Sequence, residues 1–160
     1  MMETIEPRTV GSNYLSFRVS HQWYAVNVDH VIEVLHMIAL TELPKTPPDI
    51  LGLMTLRAVV MPVVDLRLRF GYDRAPLDLN TPIIAANTSA GAIGMVVDDV
   101  DNIEAISQIT NYEGKESVYV MGAARMLDRL LLLLNIDRLR GEVQRQTGEM
   151  PAVKTGTNGR

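Results

Sequence analysis

The sequence predicts an all-β protein, built either as a pair of small barrels or as a sandwich. Many short apolar runs are separated by turn residues, and one segment near the C-terminus has helical spacing. The chain also carries an internal duplication, because residues 24–31 align without a gap on residues 93–100, and residues 63–66 align on residues 133–136. A period this long indicates a duplicated small domain rather than a solenoid repeat. The doubled pattern therefore favours two barrels.

Both halves predict the same order of elements: a hairpin, a third strand, a loop and a final pair of strands. The predicted strands cover residues 14–19, 23–28, 32–37, 52–56 and 59–64 in the first half, and residues 81–87, 92–97, 103–106, 118–123 and 130–134 in the second. Leucine favours helix, but the alignment of the leucine run at 130–134 on residues 60–64 predicts a buried strand. Apolar residues at helical spacing predict a closing helix over about residues 136–146.

The predicted organisation places a flexible arm at residues 1–12 and a disordered tail, rich in Gly, Thr and Lys, at residues 147–160. Between them, the duplication predicts one barrel from about residues 13–79 and a second from about residues 80–135. Each half is near the lower size limit for a self-sufficient hydrophobic core. We therefore expect the two copies to pack together around a shared core.

Composition narrows the class of protein. The chain has 160 residues, of which 47% are hydrophobic, and its net charge of −4 argues against a nucleic-acid-binding surface. It has no cysteine, so disulfides and thiolate chemistry are excluded. No apolar run approaches the ~20 residues that span a bilayer, and the N-terminus lacks the pattern of a secretory signal. We therefore expect a cytoplasmic protein without direct membrane insertion.

No pattern in the sequence predicts catalysis, a metal or a cofactor. None of the three histidines has a carboxylate beside it at the spacing of a ligand set. They are His21, His30 and His36. The acidic residues at 98–101 are interpreted as a strand end followed by a capped turn rather than as an acid/base pair. No serine lies in a nucleophile elbow and no glycine-rich loop joins a strand to a helix, so we expect a protein that is not an enzyme.

Residues 50–67 read ILGLMTLRAVVMPVVDLR and resemble the hallmark segment of the CheW family, the adaptor proteins of bacterial chemotaxis. Other segments resemble the family in the same order. They are residues 14–17, 24–28, 31–34, 94–100 and 128–136. The similarity covers roughly residues 13–141, the whole of the predicted folded region, and is more specific than any single short motif.

The resemblance implies two five-stranded, SH3-like barrels around a shared core, and a non-catalytic scaffold that couples methyl-accepting chemoreceptors to the histidine kinase CheA. In the family, the regulatory domain of the kinase has the same fold and pairs with the adaptor barrel to barrel. The cytoplasmic helical-hairpin tip of the receptor lies in a groove between the two barrels. Carried over to this sequence, the receptor-binding groove would include Val31, Glu33, Gly52 and Arg57. The protein would be recruited from the cytoplasm to membrane-receptor arrays.

Each of these four positions also has an ordinary structural interpretation. Val31 would be part of the core, Glu33 a solvated strand charge, and Gly52 a backbone requirement. Arg57 would be a hairpin-tip cation, but a hairpin tip between apolar strands holds a side chain rigidly for a partner, which favours the receptor-binding interpretation.

The sequence departs from the family pattern at several positions. Thr55 and Ala58 stand where the family usually has asparagine and glycine, and Leu35 stands where an arginine often occurs. Residues 122–124 read Gly-Ala-Ala in place of the frequent Gly-x-Gly. Ala58 is strained if this turn residue needs a positive φ, which glycine adopts freely. Two other functions stay open: an adaptor of a non-flagellar, twitching-type pathway, and a small-molecule-sensing β-barrel module.

Overall fold

The computed structural model describes residues 8–114 and 118–140, and within them the chain is mostly strand. The elements in chain order are β1 (Arg8–Val19), β2 (Gln22–Asn27), β3 (Val31–His36), β4 (Ile50–Leu56), β5 (Val59–Asp65), α1 (Leu66–Arg69), β6 (Pro82–Thr88), β7 (Gly91–Val96), β8 (Asp99–Ile109), β9 (Val120–Arg125), β10 (Leu130–Leu134) and α2 (residues 136–140). The prediction of an all-β fold is confirmed.

The first strand starts earlier than the sequence predicts. β1 begins at Arg8, which pairs with Ile109 at the far end of β8. The flexible arm predicted at residues 1–12 is therefore wrong for residues 8–12, because the long partner strand offers backbone groups with which they pair. Three predicted features lie outside the described residues: residues 1–7 of the arm, the helix beyond residue 140, and the tail at residues 147–160.

The strands form two five-stranded sheets, each curved into a small barrel. Barrel 1 has the strand order β8-β1-β2-β10-β9, and barrel 2 has the order β3-β6-β7-β5-β4. Each barrel thus combines the first hairpin of one half with the last three strands of the other. The predicted division into barrels at residues 13–79 and 80–135 does not hold for the sheets. The reason is that β2 pairs in parallel with β10, and β7 with β5, across the boundary between the halves.

The same contact closes both barrels. After β3, Thr41 exchanges two backbone hydrogen bonds of 2.8 Å with Leu53 of β4. After β8, Thr110 exchanges two backbone hydrogen bonds of 2.8 Å with Ala123 of β9. Because β3 and β4 are the two edges of one sheet, and β8 and β9 the two edges of the other, these bridges join the ends of each sheet and cover part of its edges.

Three apolar clusters among the described residues stabilise the two barrels. One fills barrel 1, one fills barrel 2, and the largest lies between the sheets and draws side chains from both. Alternate residues of a strand point to opposite faces of its sheet, so a single strand contributes to two clusters. In β1, for example, Tyr14 packs inside barrel 1, whereas Phe17 packs in the shared core. The predicted shared core is confirmed.

The burial of β10 explains why five consecutive leucines form a strand here. Leu131 and Leu133 lie inside barrel 1, whereas Leu132 and Leu134 lie in the shared core. All four side chains are at most 3% exposed. A strand that is buried on both faces needs no polar face, so its sequence is a continuous apolar run. The prediction of a buried strand at residues 130–134 is confirmed.

Candidate functional site

The β4–β5 hairpin ends in a two-residue turn with a left-handed backbone. Leu56 pairs with Val59, and the two residues between them, Arg57 and Ala58, have φ angles of 53° and 67°. Two consecutive positive φ angles are the geometry of a type I′ turn, where glycine or asparagine is usual because a Cβ atom disfavours this conformation. Ala58 therefore occupies a position with the positive φ that the sequence comparison with the family suggested.

The turn places Arg57 next to Glu33, which lies on the opposite edge of the barrel 2 sheet. Nη2 of Arg57 lies 3.0 Å from Oε1 of Glu33, and the side chains are 71% and 33% exposed respectively. Glu33 Oε1 is itself buried, and this contact does not have the geometry of a hydrogen bond. Exposed ion pairs contribute ~0 to 1 kcal/mol. With 71% of its surface exposed, the Arg57 side chain remains accessible to a partner.

Two exposed apolar side chains lie on the outer face of the barrel 2 sheet, Val34 on β3 and Val60 on β5, and are together called the ledge. On β5, Val64 is buried in the shared core, and Val60, on the same face of the strand, is 52% exposed. On β3, Val34 is 42% exposed and pairs with Ile84, which is buried in the shared core. The ledge therefore continues the apolar face of barrel 2 beyond the part that barrel 1 covers.

Because of a β-bulge in β3, the side chains of Val31 and Glu33 point to opposite faces of the sheet. Val31 pairs with Ala86 and packs against the shared core, whereas Glu33 pairs with Ala85, which belongs to the cluster inside barrel 2. Residues two apart normally share a face of the sheet, but the irregularity between Val31 and Glu33 puts them on opposite faces. Val31 thus lies at the border of the shared core, near the ledge, while Glu33 reaches Arg57 at the mouth of barrel 2.

Gly52 has a clear role in the backbone. Its φ is 147°, and a Cβ atom there would lie 2.5 Å from the carbonyl oxygen of Thr41, in the bridge that closes barrel 2. Gly122 has the equivalent position in barrel 1, where a Cβ atom would lie 3.0 Å from the carbonyl oxygen of Thr110. The glycine that both halves share therefore permits barrel closure. The part of Gly52 in a receptor groove stays a prediction.

Barrel 1 also carries a cation in its last hairpin loop, Arg129, which aligns with Val59 rather than with Arg57 and which the sequence did not point to. Nη2 of Arg129, in the β9–β10 turn, donates to Asp101 at 2.5 Å and to Glu104 at 3.4 Å, and the guanidinium lies 3.9 Å from the centroid of the Trp23 ring. The hydrogen bond to Asp101 is the largest of the effects that raise the pKa of Arg129 above its ordinary value, against the lowering effect of burial. These residues are far apart in the sequence, so no local pattern marks the cluster.

The surroundings of Arg57 are suited to binding another protein. Barrel 2 exposes both an arginine and apolar side chains, and arginine is enriched among the residues that dominate interface energies. In residues 8–114 and 118–140, no group of three His, Asp or Glu side chains is arranged to hold a metal ion. The helices of the same residues are too short or too polar to span a membrane.

Residues 13–144 match the CheW-like domain. The chain belongs to the CheW-like family. Chemotaxis protein CheW of Klebsiella aerogenes is 28% identical to it over 137 residues, which is 82% of this chain and 82% of that protein. Chemotaxis protein CheW of Thermotoga maritima is 27% identical over 151 residues, which is 92% of this chain and 99% of that protein. The resemblance that the sequence motifs predicted is confirmed.

A solved structure has the same fold as this CheW-like protein. The crystal structure of the scaffolding protein TtCheW from Thermoanaerobacter tengcongensis matches it with a TM-score of 0.73 at 24% identity, over 79% of this chain and 90% of that chain. The prediction of two SH3-like, five-stranded barrels is confirmed. The protein is a chemotaxis coupling adaptor, as its family membership predicts.

Proposed function

We propose that this CheW-like protein couples methyl-accepting chemoreceptors to a CheA-type histidine kinase, and that the receptor's cytoplasmic tip binds at a groove bordered by Val31, Glu33, Gly52 and Arg57. The observation that supports this most strongly is the 71% exposure of the Arg57 side chain, on the same barrel as the exposed apolar ledge. The ledge lies on the face of barrel 2 that also carries the shared core, where a groove between the barrels would run.

A helical-hairpin tip is the partner that suits this surface. The apolar stripe of an amphipathic helix would lie on the ledge, and Val31 would extend that contact toward the shared core. A carboxylate on the same helix would pair with Arg57. Gly52 acts indirectly, since it admits the bridge that holds β4 and therefore the hairpin that carries Arg57.

The second partner is the regulatory domain of the kinase, which in this family has the same fold. It pairs with barrel ends other than the one that carries Arg57. The protein works in the cytoplasm as a scaffold without catalytic activity of its own, and its two partners recruit it to membrane-receptor arrays. It neither inserts into the membrane nor binds nucleic acid, in keeping with its net charge of −4.

Calorimetric titrations with a purified receptor tip and, separately, with the kinase regulatory domain test this function. We expect Arg57→Glu to lose more than tenfold in receptor affinity, the size expected for a residue that dominates an interface, and to keep its kinase affinity. Arg125→Glu is the matched control, because Arg125 is an exposed arginine of barrel 1 and the charge change is identical.

Two outcomes would contradict the proposal in different ways. If Arg57→Glu and Arg125→Glu have equal effects on receptor affinity, the groove is assigned to the wrong surface. If the unaltered protein binds neither partner, the coupling function itself is wrong.

A further inference from the structure

Within the described residues, the chain crosses between the barrels at two places. The turn Val28–His30 leads from β2 of barrel 1 to β3 of barrel 2, and residues 97 and 98 lead from β7 of barrel 2 to β8 of barrel 1. The second crossing carries Asp98, whose side chain is 19% exposed. Its contacts reach both barrels.

Asp98 connects a hairpin turn of barrel 1 to the end of a strand of barrel 2. Its Oδ2 accepts a hydrogen bond from the backbone N–H of Ser20, in the β1–β2 turn, at 2.5 Å. Its Oδ1 accepts one from Nη1 of Arg67, in α1 directly after β5, at 3.1 Å. The backbone N–H of Asp98 also donates to the carbonyl oxygen of Arg18 at 2.9 Å. Asp98, Arg67 and Ser20 are called junction 1 below.

Arg67 is held firmly on the barrel 2 side of this junction. Its side chain is 4% exposed, and its Nε and Nη2 donate to the two carboxylate oxygens of Asp65 at 3.0 and 3.3 Å. Burial lowers the pKa of Arg67, but the hydrogen bond and charge of Asp65, and then those of Asp98, raise it above the ordinary value. The guanidinium is therefore a fixed positive charge that orients Asp98 toward Ser20.

The duplication places a second junction at the other hairpin. Ser89, in the β6–β7 turn of barrel 2, corresponds to Ser20, and Asp137, in α2 after β10 of barrel 1, corresponds to Arg67. The backbone N–H of Ser89 donates directly to Oδ1 of Asp137 at 2.9 Å. Ser89 and Asp137 are called junction 2. In both junctions, a carboxylate therefore accepts a hydrogen bond from the hairpin turn. In junction 2 the carboxylate belongs to the helix, as Asp137. In junction 1 the helix carries Arg67 at that position, and the carboxylate comes from Asp98 in the segment that crosses between the barrels.

We propose that junctions 1 and 2 set the orientation of the two barrels relative to each other, and that Asp98 and Arg67 are positioning residues for any surface that both barrels form. Loss of the Asp98 carboxylate leaves the Ser20 amide without its acceptor and removes one partner of Arg67. Each barrel keeps its own closing bridge, so the change acts between the barrels. For the receptor groove in particular, this inference rests on the proposed function.

The test compares Asp98→Ala with Asp99→Ala in the full chain. Both changes remove one negative charge, but Asp99 is exposed and its carboxylate accepts from the N–H of its neighbour Val100. Because the chain contains no cysteine, cysteines introduced at the exposed positions Thr55 of barrel 2 and Arg125 of barrel 1 can be spin-labelled specifically. Double electron–electron resonance then measures the distance between the barrels, and amide hydrogen exchange measures each junction.

We expect Asp98→Ala to broaden the distance distribution and to speed hydrogen exchange of the Ser20 amide by about ten- to a hundredfold, the loss of one hydrogen bond to a charged group. The Ser89 amide should keep its exchange rate, and Asp99→Ala should change neither measurement. Asp98→Asn keeps an acceptor for Ser20 and should recover part of the protection. If Asp98→Ala does not fold, Asp98→Asn takes its place in the test, and we expect its distance distribution to be broader than that of the unaltered protein.

Two results would overturn the inference. One is an unchanged distance distribution together with unchanged exchange at Ser20 in Asp98→Ala. The other is equal acceleration at Ser20 and Ser89, which indicates a general loss of stability rather than a loosened junction. Receptor affinity separates this inference from the proposed function. If Arg57→Glu abolishes tip binding while Asp98→Ala leaves it unchanged, the positioning role at the groove is wrong and the proposed function stands. If neither change affects receptor binding, the groove is assigned to the wrong surface. The distance measurement then tests by itself whether junction 1 orients the barrels.

Discussion

The two barrels close through equivalent bridges but hold their hairpin cations differently. In barrel 1, Arg129 pairs with Asp101 and Glu104 on β8, lies over Trp23 and is 17% exposed. In barrel 2, Arg57 contacts Glu33 and is 71% exposed. The duplication has thus kept one way of closing a barrel while leaving one of the two cations accessible. A stacked, doubly paired cation belongs to the fold, whereas a weakly held one can serve a partner without loss of stability.

The largest effect is expected when the two halves of the chain are separated, because neither barrel can then form. Expressed alone, residues 1–79 and residues 80–160 should each fail to fold cooperatively, because every barrel needs strands from both halves. The whole stability of the domain, ~5 to 15 kcal/mol, would be lost. Dispersion of the amide NMR signals and a thermal melt measure the outcome. A well-dispersed spectrum from either half would mean that its strands can pair differently from those of the intact chain.

Gly52 and Gly122, the glycines beside the two closing bridges, should differ in how much a substitution by alanine destabilises the protein. Gly52→Ala adds a Cβ atom against a backbone oxygen at a positive φ, so we expect a loss of about 2 to 4 kcal/mol in the free energy of unfolding. Gly122 does not have a positive φ, so Gly122→Ala meets only a packing clash, chiefly with Cγ2 of buried Ile109, and should cost about 1 to 3 kcal/mol. Urea titrations of both variants compare the two bridges directly. Equal losses would show that backbone strain at Gly52 adds nothing.

The hairpin cations provide the direct test of the comparison. Arg129→Ala should lower the free energy of unfolding by about 1.5 to 3 kcal/mol, because it removes hydrogen bonds to carboxylates and a cation–π contact. Arg57→Ala should lower it by ~0 to 1 kcal/mol. Trp23 is the single tryptophan, so its fluorescence reports the loss of Arg129 during the same denaturant titration. If Arg57→Ala is as destabilising as Arg129→Ala, Arg57 is a structural residue and a poor candidate for the receptor contact.

The smallest effect is expected in the β4–β5 turn, where Ala58→Gly tests whether the left-handed backbone is strained. Ala58→Gly should raise the free energy of unfolding by about 0.5 to 1 kcal/mol, because glycine relieves the strain of a left-handed alanine and loses part of that gain to its greater freedom in the unfolded chain. Thermal melts measure the change. Receptor affinity should stay the same, since the side chain of Arg57 is unaltered. A destabilised Ala58→Gly would show that the turn is not strained by its Cβ atom.

Several features could be predicted because they depend on local patterns. Hairpin spacing and apolar alternation predicted most strands, and the duplication correctly led to the buried strand at residues 130–134, which helix propensity alone would have missed. The motif at residues 50–67 identified the family and, with it, Glu33 and Arg57, which the structure brings into contact. The pairing of the strands could not be predicted in this way. A hairpin has the same pattern whether it completes its own half or the other one.

The sequence by itself determined the all-β class, the duplication and the family, and it raised the question of a positive φ at Ala58, which the structure answers. Only the tertiary structure decided how the two halves exchange hairpins and which of the two hairpin cations is exposed. It also decided that Val34 and Val60 remain exposed to solvent. It also decided that Asp98, which resembled a simple strand-end cap, joins the barrels through Arg67 and Ser20. The physical reason is that strand pairing, burial and charge pairing join residues distant in sequence, and the free energy of such contacts depends on how the complete chain packs.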